Sequence, residues 1–153
     1  MSRSEISIPM SSPDITAAEI EAVTQVLHTP VLSIGPRLEQ FERAVASYVG
    51  VAHAIGVNSG TSGLHLCMIA AGVAAGDLVL TSPFSFVASA NCILYERAVP
   101  IFVDVDPVTG NLDPVRAAEA VHDLNQGKRA AKRWLPRAMV DAPLGKLRAV
   151  LPV

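Results

Sequence analysis

The residues best placed to do chemistry form one short run, Asn58-Ser59-Gly60-Thr61-Ser62-Gly63. It lies between an apolar stretch at residues 52–57 and a helical pattern in Leu64, Cys67, Met68 and Ala71. A small-residue turn that opens a helix leaves several backbone N–H groups without an intrahelical partner. The positive end of the helix dipole adds to them, so an anion such as phosphate is favoured there. Gly60 allows close approach, and the Thr61 and Ser62 hydroxyls can donate further hydrogen bonds. Two readings fit the run by itself: a phosphate cradle, or an ordinary strand-to-helix connection carrying its own N-cap. Neither of the better-known phosphate fingerprints is present. No lysine follows the glycines, as the Gly-rich loop of nucleoside triphosphatases requires, and no G-x-G-x-x-G occurs.

The remaining reactive residue types are scattered. Cys67 and Cys92 fall in apolar helical patterns with no His/Cys/Asp cluster at ligand spacing, which predicts two reduced core thiols and neither a disulfide nor a metal site. His65 is the histidine nearest the turn, and its place within the helix favours a packing residue over a base. Residues 126–146 have no clean period yet hold Lys128, Arg129, Lys132, Arg133, Arg137 and Lys146, half of the 12 lysines and arginines. That segment reads either as a solvated insertion loop or as a basic flap near an anionic ligand. Trp134, the only tryptophan, could anchor it by burial or stand exposed.

These residues need elements to position them. Thr16-Ala17-Ala18-Glu19 fits a capping box, and Ile20, Val23, Val26 and Leu27 continue at helical spacing, so a helix is expected from about Thr16 to His28, after an extended arm containing Pro9 and Pro13. Pro30 should stop it. Pro36 suits the first turn of a second helix, with Leu38, Phe41, Val45 and Tyr48 on one face and Gly50 as its end. The run at 52–57 is expected to be a strand, followed by the helix after the turn. Leu78 to Leu80 reads as a buried strand, residues 84–97 as a helix, Val99 to Val103 as a strand, Asp113-Pro114 as the start of a helix to about Leu124, and Leu147 to Val153 as a final strand. Alternating strand and helix with short links predicts parallel crossovers and a sheet covered on both faces.

Composition sets the outer limits. The 153 residues suit one ordinary domain or part of one, and half of them are hydrophobic with 17% charged, which predicts a folded chain. Its apolar stretches are too short to span a bilayer, the first ten residues lack the apolar core of a secretory signal, and cytoplasmic residence is the expectation. A formal net charge of −2 gives no general pull toward nucleic acid or membrane.

Pro13-Asp14-Ile15 with Glu19-Ile20, Gly35-Pro36 with Phe41-Glu42, the Asn58 to Ser62 turn, Gly76-Asp77, Phe86-Val87-Ala88 and Val103-Asp104-Val105-Asp106 occur in one order. In order and spacing they resemble the amino-terminal half of the DegT/DnrJ/EryC1/StrS sugar aminotransferases. The resemblance implies the α/β fold of the large domain of type I pyridoxal-phosphate enzymes, a three-layer, mostly parallel sheet. On that reading residues 1–153 form an incomplete large domain, with an amino-terminal arm and helix at 1–34, a basic insertion loop at 126–146, and no small carboxy-terminal domain. It implies pyridoxal 5'-phosphate as cofactor, Gly60, Thr61 and Ser62 at its phosphate, and Phe86 stacked on its ring. Without the resemblance Phe86 is a core aromatic, and Phe84 competes for the role if the helix begins one turn differently. Asp104 and Asp106 fit a solvated turn and are given no chemistry.

The resemblance further implies that the Schiff-base lysine and the carboxylate facing the pyridine nitrogen fall beyond Val153. No catalytic residue is therefore assigned within the chain, and Lys128, Lys132 and Lys146 are not promoted to that role. The implied function is amino transfer from an amino acid, glutamate or glutamine, to a nucleotide-linked keto-sugar by a homodimer, with the chain inactive alone. A non-catalytic phosphate-binding fragment or regulator, or a sugar dehydratase of the same family, is the alternative.

Overall fold

Local chemistry accounts for most of the elements in the computed structural model, which describes residues 11–143 and 145–152. The expected arm up to Pro9 and the end of the final strand, Val153, lie outside the described residues. The chain divides into two compact units, one ending at Gly56 and one beginning at Val57.

In the first unit, helix α1 (Ala17–Leu27) starts at the Thr16 capping box: the Thr16 side chain accepts from Ala18 N–H, and Glu19 accepts from the Thr16 N–H. Helix α2 (Pro36–Val49) has Pro36 in its first turn and ends at Gly50, whose φ of 78° only glycine adopts without strain. Residues 52–57 do not form the expected strand. A strand exists only with a ladder partner, and none pairs with this run among the described residues. The Gly56 N–H is satisfied instead by the Glu42 carboxylate on α2, at 2.8 Å.

In the second unit, helix α3 (Gly60–Ala70) leads to strand β1 (Leu78–Thr81), helix α4 (Ala88–Tyr95) and strand β2 (Val99–Phe102). Helices α5 (Pro114–Gln126) and α6 (Lys128–Ala131), a 3-10 turn (Arg137–Met139) and strand β3 (Leu147–Leu151) follow. The sheet order is β2-β1-β3 with every pair parallel, so β1 is central and its residues are buried on both faces. Strand alternation sends Leu78 and Leu80 into one core with Ile101, Val103, Ala120, Leu124, Ala131 and Leu135. Val79 points into another core, with Met68, Val73, Cys92 and Ile93. Helices therefore cover both faces, α5 and α6 on one and α3 and α4 on the other, which is the expected three-layer α/β arrangement. No helix among the described residues is long and apolar enough to cross a membrane.

Three further expectations change. Helix α4 begins at Ala88, not at Phe84, because the Ser82 hydroxyl accepts the Phe84 N–H at 3.1 Å and holds the chain in a bend after Pro83. Residues 126–146 are not a plain solvated loop. Ala131, Leu135 and Met139, four apart, pack on the α5 face of the core, and Trp134 is half-buried with its indole N–H donated to Asp123 at 2.9 Å. Arg133 lies over the Trp134 ring at 4.7 Å and donates to the same carboxylate, which is held below the usual carboxylate range by the indole and then by Arg133. Cys92 is a core thiol, its pKa raised by burial, but Cys67 is exposed.

Candidate functional site: the turn that opens helix α3

Ser59 is the N-cap of α3, in extended backbone, and its Oγ accepts the Ser62 N–H at 3.1 Å. The Ser62 hydroxyl donates to Asn58 Oδ1 at 2.7 Å and lies 3.0 Å from Ser59 Oγ, while the Gly63 N–H bonds the Ser59 carbonyl at 3.1 Å. The amides of Gly60 and Thr61, the first two of the helix, have no protein partner among the described residues. They are two donors at the positive end of an eleven-residue helix dipole, where an anion is favoured. A Cβ added at Gly60 would meet nothing within 4 Å, so the approach to these amides is open.

An open pocket of about 590 Å³ lies against this turn, lined by Gly60, Thr61, Leu64 and Cys67 from α3, by Phe86, and by Ala88 and Ser89 of α4. The structure thus brings Gly60, Thr61 and Phe86 to one pocket. The Phe86 side chain is largely exposed there, so it is not a core aromatic. Phe84, also exposed, sits beside Gly110 instead and does not line the pocket. Ser62 does not line it either, because its hydroxyl and amide are both used inside the turn. Its place is structural: with Asn58 and Ser59 it fixes the direction of the two open amides.

Cys67 is a pocket residue that sequence reasoning placed in the core. The helical offset of three from Leu64 would have put both on one face. His65 packs edge-on against Tyr95 at 5.2 Å and is also hydrogen-bonded, its Nε2–H donating to Glu96 at 2.6 Å. At the carboxy-terminal end of β1, Thr81 is fully buried and its Oγ1 has no hydrogen-bond partner among the described residues. Asp106 accepts the Val108 and Thr109 N–H groups at 2.9 and 2.8 Å, which holds its carboxyl below the ordinary range and makes it a turn residue. Lys128 and Lys132 flank Ala131, whose core lies on the other face of the sheet from α3. No group of three or more His, Cys, Asp or Glu that could hold a metal occurs among the described residues. A larger hollow of about 720 Å³ in the first unit is walled by residues between Val26 and Gln40, mostly apolar, with Arg37 as its one cation. Its wall includes the start of α2 at Gly35 and Pro36, but Pro36 has no N–H and the Leu38 N–H bonds the Gly35 carbonyl at 3.0 Å, so it offers no pair of open amides among the described residues.

The sequence model of the DegT/DnrJ/EryC1/StrS aminotransferase family matches residues 13–128. The chain is 45% identical over 114 residues to the spore coat polysaccharide biosynthesis protein SpsC of Bacillus subtilis, a match covering 74% of this chain and 29% of that protein. It is 39% identical over 110 residues to the GDP-perosamine synthase of Caulobacter vibrioides, covering 71% and 30%. A Streptococcus pneumoniae protein named as a sugar aminotransferase, solved in its PLP form, superposes with a TM-score of 0.69 at 32% identity, covering 74% of this chain and 29% of that one. The chain thus spans about three tenths of the length of these relatives. Its three-layer parallel sheet is part of the large domain of such enzymes. The match runs through the α3 turn, the pocket that it opens and both strands on the β1–β2 side of the sheet, and the chain belongs to the DegT/DnrJ/EryC1/StrS aminotransferase family.

Proposed function

We propose that this chain supplies the phosphate-holding and ring-covering part of a pyridoxal-phosphate-dependent aminotransferase acting on nucleotide-linked keto-sugars. One observation carries the reading: the two unpartnered amides of Gly60 and Thr61 stand at a pocket that also has Phe86 in its wall. The residues fit the cofactor. A doubly charged phosphate ester suits two open donors at a helix start, the Thr61 hydroxyl adds a third, and Phe86 offers an aromatic face for a pyridine ring. Hydrogen bonds to a charged phosphate are worth about 1.5–3 kcal/mol each, so two or three give firm anchoring. Ser62 belongs to the same cradle as the residue that, with Ser59 and Asn58, holds the amides in place before the ligand arrives.

When bound, the cofactor supplies the electron sink that lets an amino group leave a donor amino acid and reach a keto carbon. The residues of this chain bind its phosphate, orient its ring and keep water from one face of it. The family and the names of its relatives, among them a GDP-perosamine synthase and a spore coat polysaccharide biosynthesis protein, support nucleotide-linked sugar as the acceptor. We read the amino donor as glutamate or glutamine, the assembly as a homodimer, and the setting as cytoplasmic. Residues 1–153 are read as part of a large domain.

The test is to supply a protein carrying this chain with pyridoxal phosphate, glutamate or glutamine, and a panel of nucleotide-linked keto-sugars, with mass spectrometry of the sugars. Replacement of a keto oxygen by an amino group, lost on Phe86→Ala combined with Gly60→Pro, is expected. Bound cofactor with every sugar left unchanged would contradict amino transfer.

A further inference from the structure

The pocket has two walls on two helices, and a flat cofactor needs them at one separation. Gly60, Thr61, Leu64 and Cys67 come from α3, while Phe86 lies two residues before α4 and Ala88 and Ser89 belong to it. The buried contact between these helices is apolar, through Met68, Cys92 and Ile93, and such contact is non-directional. One directional link joins them: among the described residues, the only side-chain hydrogen bond from α3 to the α4 segment is His65 Nε2–H to Glu96 Oε1, at 2.6 Å. The two side chains are 34% and 26% exposed, so the bond is partly shielded from water, and the edge-on contact with Tyr95 fixes the ring plane at 66°.

The placement of Glu96 does not serve α4 itself. It is the C-cap of that helix, where the dipole is negative and a carboxylate is disfavoured. His65 lies four residues after Thr61, on the same side of α3 and one turn along, so tethering His65 restrains that side of the helix as a unit, Thr61 included. We infer that His65 and Glu96 are positioning residues: they clasp α3 to α4 and set the distance between the phosphate-holding amides and the aromatic wall at Phe86. The inference rests on the cofactor reading above and goes beyond it, since neither residue touches the pocket.

A clasp of this kind has a signature that loss of stability lacks. Inorganic phosphate needs only the turn, whereas pyridoxal phosphate needs the turn and the aromatic wall together. In the full 153-residue chain, His65→Ala and Glu96→Ala should each weaken pyridoxal phosphate binding by about tenfold and leave inorganic phosphate binding within about twofold. The double variant should be no weaker than either single one, because both remove the same bond. His65→Gln, which keeps an N–H donor within reach of Glu96, should restore most of the loss. Fluorescence titration gives the cofactor affinities, amide shifts of Gly60 and Thr61 give those for phosphate, and circular dichroism checks that each variant is folded. Equal losses for both ligands, losses for neither, or additive losses in the double variant would overturn the clasp. A wild-type chain that binds neither ligand refutes the cofactor reading first and takes the clasp with it. Variants too unstable to titrate while His65→Gln is folded and binds like His65→Ala would also overturn it.

Discussion

The two faces of the sheet in the second unit use similar residues to different ends. On one, Leu78, Leu80, Ile101 and Val103 are sealed by Ala120, Leu124, Ala131 and Leu135, and at its rim the Trp134 indole and Arg133 are both paired with Asp123. On the other, Val79 packs with Met68, Cys92 and Ile93, but the layer is left open beyond them. Among the described residues the Thr81 hydroxyl and two amides at the start of α3 have no hydrogen-bond partner, and Cys67 and Phe86 are exposed. The closed face maximises buried apolar area. The open one keeps unmet polar capacity and room, which is what binding a polar ligand requires.

Substitutions should separate the two faces. Ile101→Ala empties a fully buried site on the closed face and should cost about 3–4 kcal/mol of stability by chemical denaturation, with cofactor affinity falling only as far as the folded fraction falls. Gly60→Pro should do the opposite. Proline suits the first helical position, and Ser59 already has the extended backbone that a following proline demands, so α3 should persist with unchanged or raised stability. The variant removes one amide donor and fills open space, and pyridoxal phosphate affinity should fall by about tenfold or more. If Gly60→Pro unfolds the chain, or leaves affinity intact, the contrast between the faces is broken.

Smaller effects sharpen it. Thr81→Val replaces the orphan hydroxyl with a methyl group of the same shape and should raise stability by about 1 kcal/mol. Arg97 sits after α4 at a φ of 55°, in the left-handed region, so Arg97→Gly should also stabilise, by up to about 1 kcal/mol.

The smallest expected effect is electrostatic. Asp77, at the start of β1, accepts from Arg148 Nε at 3.1 Å and from the Ala74 N–H, and these bonds hold its carboxyl below the ordinary value of 3.8. A lowered folded-state pKa favours the folded chain wherever the carboxyl is ionised in both states. The contribution is therefore complete above a pH of about 4 and lost as pH falls through the lowered value. Asp77→Asn should flatten the acid limb of a urea-midpoint against pH curve and leave its alkaline limb unchanged.

Sequence made the helices and the buried strands legible because their signals are local. The Thr16 and Glu19 box, Pro36 with Gly50, and Asp113 with Pro114 each mark a boundary by a hydrogen bond or a dihedral preference that needs no distant partner. Leu78 to Leu80 and residues 52–57 look alike as apolar runs, yet one has ladder partners on both sides and the other has none among the described residues, and pairing is a property of the fold, not of the run. The start of α4 was hidden because a serine hydroxyl competes for a backbone N–H, and α6 was hidden because, at four residues, it is too short to show a helical period of its own. At the site, the turn was legible and the division of labour was not. That Ser62 is spent inside the turn, and that His65 reaches Glu96 31 residues away, depends on side-chain geometry.

The most direct measurement is an amide-resolved titration of the isotope-labelled chain with pyridoxal phosphate. The account predicts that the Gly60 and Thr61 N–H signals shift most, that inorganic phosphate moves the same two, and that Phe86 ring signals respond only to the cofactor. Largest shifts at Lys128 to Arg137, or around the hollow between Val26 and Gln40, with Gly60 and Thr61 unmoved, would contradict it.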